Sequence, residues 1–223
     1  MPWGRRATGG RAVARGEGRS NICEAAVRLF NEQGYDSVSL RQIAAEAGTT
    51  IGNLTYHFRR KEDLLAAILT DLHRGFSGGL DRSLRGRDLV ARLLELLVEN
   101  EANHARYPFY FENLSQIMTS FPSIKAENDA FARDLYEYYR WAFGQLVRDG
   151  WLSHKADGGT PSALAYVLIA MQSGWVQASS PYRNELLPTI ALPKAAATLL
   201  RTHVADAMLA EYDEACAEAG IAG

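Results

Sequence analysis

The sequence predicts an all-α fold, and three observations carry that expectation. Apolar residues recur at helical spacing through most of the chain. Glycine, proline and polar clusters interrupt the pattern at intervals that suit about nine helices. No strand-like alternation of useful length and no internal repeat is present. A chain of 223 residues can build a sizeable core, as one large domain or as a small one plus a larger one.

Residues 1–18 are rich in Gly and Arg, with one Trp, and read as a disordered basic arm. An unstructured leader is favoured there over an arm that reaches DNA. The first helix then runs to about Gln33, with Ile22, Ala26, Leu29 and Phe30 on one face and Gly34 as its stop. Ser39 precedes the second helix, and Ser39-x-x-Gln42 has the spacing of a capping box. Leu40, Ile43, Ala44 and Ala47 give that helix one apolar side. Gly48 follows where the chain must turn sharply, in a left-handed conformation that glycine tolerates. Thr50 suits the N-cap of a third helix, about Ile51 to His57. So short a helix is unstable alone, so Leu54 and Phe58 are expected to be buried against Ile43 and Ala44. Two short helices around a glycine turn make a helix-turn-helix, which places its second helix in the DNA major groove. Thr49, Thr50, Asn53, Tyr56 and His57 are left facing out, with donors and acceptors suited to phosphates and base edges.

The segment from about Arg19 to Leu72 resembles the DNA-binding domain of the TetR family of bacterial regulators. The residues that carry the resemblance are RSNICEAAVRLFNEQGYDSVSLRQIAAEAGTT, then GNLTYHF, then KEDLL. It implies a small N-terminal DNA-binding domain, a larger helical ligand-binding and dimerisation domain, and no catalytic residues. The expected division is 1–18 arm, 19–64 helix-turn-helix domain and 65–223 helical bundle. The expected DNA-binding set is Ser39, Arg41, Thr49, Thr50, Asn53, Leu54, Tyr56, His57 and Lys61. Two positions depart from the family pattern. Thr55 stands where a tyrosine that touches phosphate is usual, and Arg60 where a capping Ser or Thr is common.

The fourth helix starts near Lys61, with Glu62 and Asp63 favourable at the positive end of its dipole. Further helical patterns cover about 88–106, 109–119, 123–148, 162–178 and 194–218, separated by loops around Pro108, Pro122, Gly158-Gly159 and Pro181 to Pro193. Aromatic residues concentrate between Tyr107 and Trp151. A pocket between bundle helices is usually apolar with a few polar groups. Phe111, Tyr139 and Trp175 are its expected aromatic part, and His104, Asn113, Gln116 and Gln172 its polar part. The helix ALAYVLIAMQSGWVQ is apolar nearly all round, so it must be buried on more than one side. With the last helix it would pack on a twin, as the resemblance implies for a homodimer, through Leu168, Met171, Leu200, Val204 and Met208.

The net charge of −2 by itself predicts no nucleic-acid partner, but its distribution does. Residues 1–60 hold nine Arg and no Lys against five acids, which leaves the rest of the chain at −6. A basic head on an acidic body suits a DNA-reading domain joined to one that does not bind DNA. Cys23 and Cys216 have no metal-ligand spacing and imply no disulfide framework, as suits a reducing cytoplasm. No secretory signal and no apolar run long enough to span a bilayer is expected. A rival reading takes Glu101-x-x-His104 as half of a di-iron site, although no other His has a Glu three residues before it. The helical pattern would also suit an interaction module that has lost DNA binding, or a transcriptional activator of the same fold. The favoured expectation is a repressor, without cofactor or metal, that leaves a palindromic double-stranded operator when a small, partly apolar effector binds.

Overall fold

In a computed structural model of the chain the described residues are 9–153, 160–179 and 190–221. They form α1 (Gly9–Gln33), α2 (Leu40–Glu46), α3 (Ile51–His57), α4 (Lys61–Ser77), α5 (Gly86–Arg106), α6 (Pro108–Glu112), α7 (Leu114–Ser120), α8 (Pro122–Arg148), α9 (Thr160–Ser179), α10 (Leu192–Arg201) and α11 (Leu209–Glu218). Among them strand pairing is confined to an isolated antiparallel bridge between Leu152 and Val204. The chain divides into two compact units, one ending at Asp71 and one starting at Leu72. The division falls inside α4, later than the boundary expected at 64.

In the first unit, α2 packs on α1 and α3 packs on α2. The small residues Ala25, Ala26 and Ala44 let the backbones approach, and Ile22, Phe30, Ile43, Leu54, Leu64 and Leu65 fill the space between. The expected cap forms: Ser39 Oγ accepts from Gln42 N–H, and the Gln42 side chain accepts from Ser39 N–H. Gly48 turns the chain at φ +63°, where a side chain would be strained. Helix α1 reaches back to Gly9, into the segment read from sequence as an arm; residues 1–8 lie outside the described set. Cys23 on α1 is a free, half-buried thiol whose pKa burial pushes up to about 11.

The second unit is built on α8 and α9, which pack along much of their length, with α5 against α8, α10 and α11. Tyr138, Tyr139, Leu89, Leu96 and Ala142 have no exposed surface. Two helices expected as single pieces are broken. The one at 109–119 divides at Asn113, whose Nδ2 donates to the Phe109 carbonyl at 2.9 Å. The one at 194–218 reverses direction between Arg201 and Leu209. Around the Leu152–Val204 bridge, Ser153 N–H donates to His203 O at 2.8 Å and Ala205 N–H to Trp151 O at 2.9 Å. Across the reversal Tyr212 Oη donates to Ala197 O at 2.9 Å, and Arg201 makes two 2.7 Å bonds to Asp213. The loops expected around Gly158-Gly159 and from Pro181 to Pro188 lie outside the described residues.

That reversal corrects the expected dimer contact. Leu168, Leu200 and Val204 are buried in the core of the chain's own second unit. Met171 and Met208 are half-buried and pack on the same core. Leu168, Leu200 and Val204 are therefore not left as surface for a partner. Helix α9 instead buries Leu164, Ala165, Leu168 and Val176 and leaves Ala163, Tyr166, Val167 and Ala170 exposed on its other face. No helix among the described residues is long and apolar enough to cross a membrane.

Candidate nucleic-acid interface and effector cavity

The first unit presents α3 as a short helix with one buried anchor. Leu54 has no exposed surface, so its place in the expected DNA-binding set is corrected: it supports the helix and cannot touch a ligand. Thr50 caps α3, its Oγ1 accepting from Asn53 N–H at 3.1 Å. Asn53 is exposed, and its Nδ2 donates to Thr49 Oγ1 at 2.8 Å. One amide N–H is thereby held, and the amide is oriented with its second N–H and its carbonyl oxygen still usable. Tyr56 is 66% exposed and Ile51 41% exposed. His57 is half-buried at the end of α3. Ile51 escaped the sequence reading because an apolar residue after a cap is normally assigned to the core.

Several expected contacts are already engaged within the unit. The Ser39 hydroxyl is taken up by its capping box, donating to Gln42 Oε1 at 2.7 Å. The Thr55 hydroxyl donates to Ile51 O at 2.9 Å, so it does not replace the tyrosine usual there. At Arg60 the missing cap is supplied in reverse, by Asp63 Oδ2 accepting from Arg60 N–H at 3.0 Å. Lys61 is the main correction. Its Nζ donates to the carbonyls of Tyr35 at 2.6 Å, Val38 at 2.9 Å and Asp36 at 3.3 Å, and lies 4.3 Å from the centre of the Tyr35 ring. An ammonium has three donors, and all are spent on the turn between α1 and α2. Desolvation lowers its pKa.

Lys61→Ala is therefore expected to destabilise the turn by about 1–3 kcal/mol, the cost of leaving carbonyls without a charged donor. The salt dependence of DNA binding should stay as in the parent. A slope flatter by about one unit, the signature of a lost phosphate contact, would restore the contact assignment.

Part of the positive charge among the described residues of the unit is neutralised in place. Arg19 pairs with Asp71, Arg28 with Glu46, and Arg60 with Glu62 and Asp63. Arg41 on α2 and Arg59 just after α3 are exposed and belong to none of the ion pairs among the described residues. Arg59 was missed from sequence because it lies beyond the helix.

The second unit holds a cavity of about 70 Å³ that is partly open to solvent. Of the expected residues, Phe111 and Gln172 line it. His104 and Tyr139 lie behind Gln172: His104 Nε2 bonds the Gln172 carbonyl at 2.8 Å, and Gln172 Nε2 donates to Tyr139 Oη at 2.9 Å. Burial lowers the His104 pKa and raises that of Tyr139, so both are neutral supports. Asn113 and Gln116 are exposed, Trp175 is half-buried on α9, and none of the three lines the cavity, which corrects their assignment. The lining missed from sequence includes His73, Asn100, Asn103 and Asn128, while Tyr110 and Phe131 come from the expected aromatic cluster. Asparagines recurring on helices that only the tertiary fold brings together leave no local signal. Among the described residues no group of three or more His, Cys, Asp or Glu could hold a metal ion, and His104 is engaged with Gln172, so the di-iron reading of Glu101 and His104 finds no support there.

A sequence profile described as bacterial regulatory proteins, tetR family, matches residues 22–68. The regulator AcrR of Shigella flexneri is 46% identical over 85 residues, 37% of this chain and 39% of AcrR. The chain spans less than half the length of the first curated relatives it matches. A TetR-family regulator from Marinobacter aquaeolei VT8 shares the fold, with a TM-score of 0.75 over 92% of this chain and 98% of that one, at 18% identity. SmeT in complex with triclosan gives a TM-score of 0.64 at 26% identity, over 85% of this chain and 92% of that one. SmeT is the repressor of the Stenotrophomonas maltophilia multidrug efflux pump SmeDEF.

Proposed function

We propose that the chain, which matches the TetR family of bacterial regulatory proteins through its DNA-binding segment, is a ligand-responsive transcriptional regulator, a repressor that leaves a palindromic operator when a small, partly apolar effector binds. The observation that carries the reading is the exposed pair Asn53 and Tyr56 on a helix pinned by Leu54, with half-buried Thr49 just before the helix holding the Asn53 amide. Asn53, oriented by Thr49, can pair with adenine through its free N–H and its carbonyl oxygen. Ile51 offers an apolar contact for a thymine methyl. Arg41 and Arg59 supply phosphate contacts that position the helix without reading sequence.

An effector in the cavity would touch Leu72, His73 and Phe76 on α4, the helix whose first residues belong to the DNA-binding unit. It would shift DNA affinity by its differential affinity for two conformations of that helix, and by no more. Two half-sites need two copies. The exposed face of α9, with Tyr166 at 70% and Val167 at 38%, is the surface we assign to the homodimer. SmeT, a repressor solved with triclosan, supports both the direction of control and the kind of ligand. Such a regulator acts in the cytoplasm, where its DNA lies.

Binding-site selection followed by operator titration tests the reading. Asn53→Ala is expected to cost about 1–3 kcal/mol on the selected operator and to relax preference at one position per half-site. Selection that returns no preferred sequence for the parent protein would overturn the proposed function.

A further inference from the structure

We propose that the effector is an uncharged molecule of about one ring that carries a hydroxyl-type hydrogen-bond donor and presents it to Asn100. The inference rests on reading the cavity as the effector site. Among the described residues that line the cavity, none is Asp, Glu, Lys or Arg. A charged molecule entering it would lose hydration without meeting a counter-charge. Two lining residues, Asn100 and His73, each carry a buried polar atom, Oδ1 and Nδ1, with no hydrogen-bond partner among the described residues. Buried polar atoms are paired in the great majority of cases, so this pair marks where a ligand's polar group fits.

The two atoms specify that group differently. An amide oxygen only accepts, so its complement is a donor. His73 is neutral, because burial lowers its pKa. Its Nδ1 donates in one tautomer and accepts in the other. A hydroxyl, which both donates and accepts, has the chemistry to complement either atom. The rest of the wall is aromatic. The His73 ring stacks on Phe131 with centroids 4.3 Å apart and planes 11° apart, and Phe76 meets Phe131 edge-on at 5.9 Å. The enclosed 70 Å³ is smaller than the roughly 150 Å³ void known to take up benzene. The opening to solvent lets one ring enter without being wholly enclosed.

Calorimetric titration of the full chain, without DNA, with phenol, anisole and benzoate tests the assignment. Phenol should bind at least tenfold more tightly than anisole, which keeps the ring and lacks the donor. Benzoate should be weaker than either. Asn100→Leu should lower phenol affinity about tenfold and leave anisole unchanged or improved. His73→Phe keeps the aromatic wall and should narrow the preference for phenol, which reads the same group if Asn100→Leu fails to fold. Equal affinity for phenol and anisole, tighter binding of benzoate, or no binding of any probe overturns the proposal. Operator titration of the ligand-free protein tests the regulator reading separately, so the two can fail independently.

Discussion

Replacing Val204 by Asp is expected to abolish the folded second unit. Val204 lies in the bridge to Leu152 and closes a small apolar void lined by Val90, Leu93, Leu94, Trp151 and Leu200. A carboxylate there has no partner and little water. An unpaired buried charge costs several kcal/mol even after it protonates or the structure relaxes. That is a large share of the roughly 5–15 kcal/mol that holds a domain together. Circular dichroism should show lost helix and no cooperative melt. Tyr166→Asp, on the exposed face of α9, should behave in the opposite way. It should keep the helical signal and the melt, sediment as a monomer, and lose operator affinity because one copy reaches one half-site. A Val204→Asp protein that melts like the parent would show that the reversal between α10 and α11 is misplaced.

Leu54→Ala is expected to remove DNA binding while sparing the second unit. Leu54 is fully buried between α3 and the rest of a small unit. Large-to-small changes at such sites cost about 2–5 kcal/mol. Helix α3 has seven residues and cannot persist without that contact. Operator affinity should fall below detection, while the ring probes still bind the cavity as in the parent. Operator affinity within threefold of the parent would mean that α3 is held by something other than this side chain.

The helix-turn-helix was legible because its information is local. A capping box, a glycine turn and one apolar anchor lie within twenty residues of each other in sequence, and each announces its conformation. Lys61 was misread for the same reason. A lysine at a helix start suggests an outward charge, while its three carbonyl partners lie 23 to 26 residues earlier. The reversal after Arg201 was illegible because neither Gly nor Pro stands between Thr202 and Met208. What turns the chain there is the pairing with Trp151 to Ser153 and the hydroxyl of Tyr212, both set by tertiary contacts. The cavity was half legible. Aromatic density pointed to the right helices, but the asparagines and His73 come from three helices, α4, α5 and α8, that only the folded chain brings together.

The thiol of Cys23 gives the first unit a built-in clock. With its pKa near 11, almost none of it is thiolate at neutral pH while α1 stays packed, and thiolate is the form that alkylates. Reaction with a maleimide therefore proceeds mainly through moments when α1 lifts from its neighbours. The labelling rate at Cys23, separated from that at Cys216 by peptide mapping and compared with that of a free cysteine, reports how often that happens without a mutation.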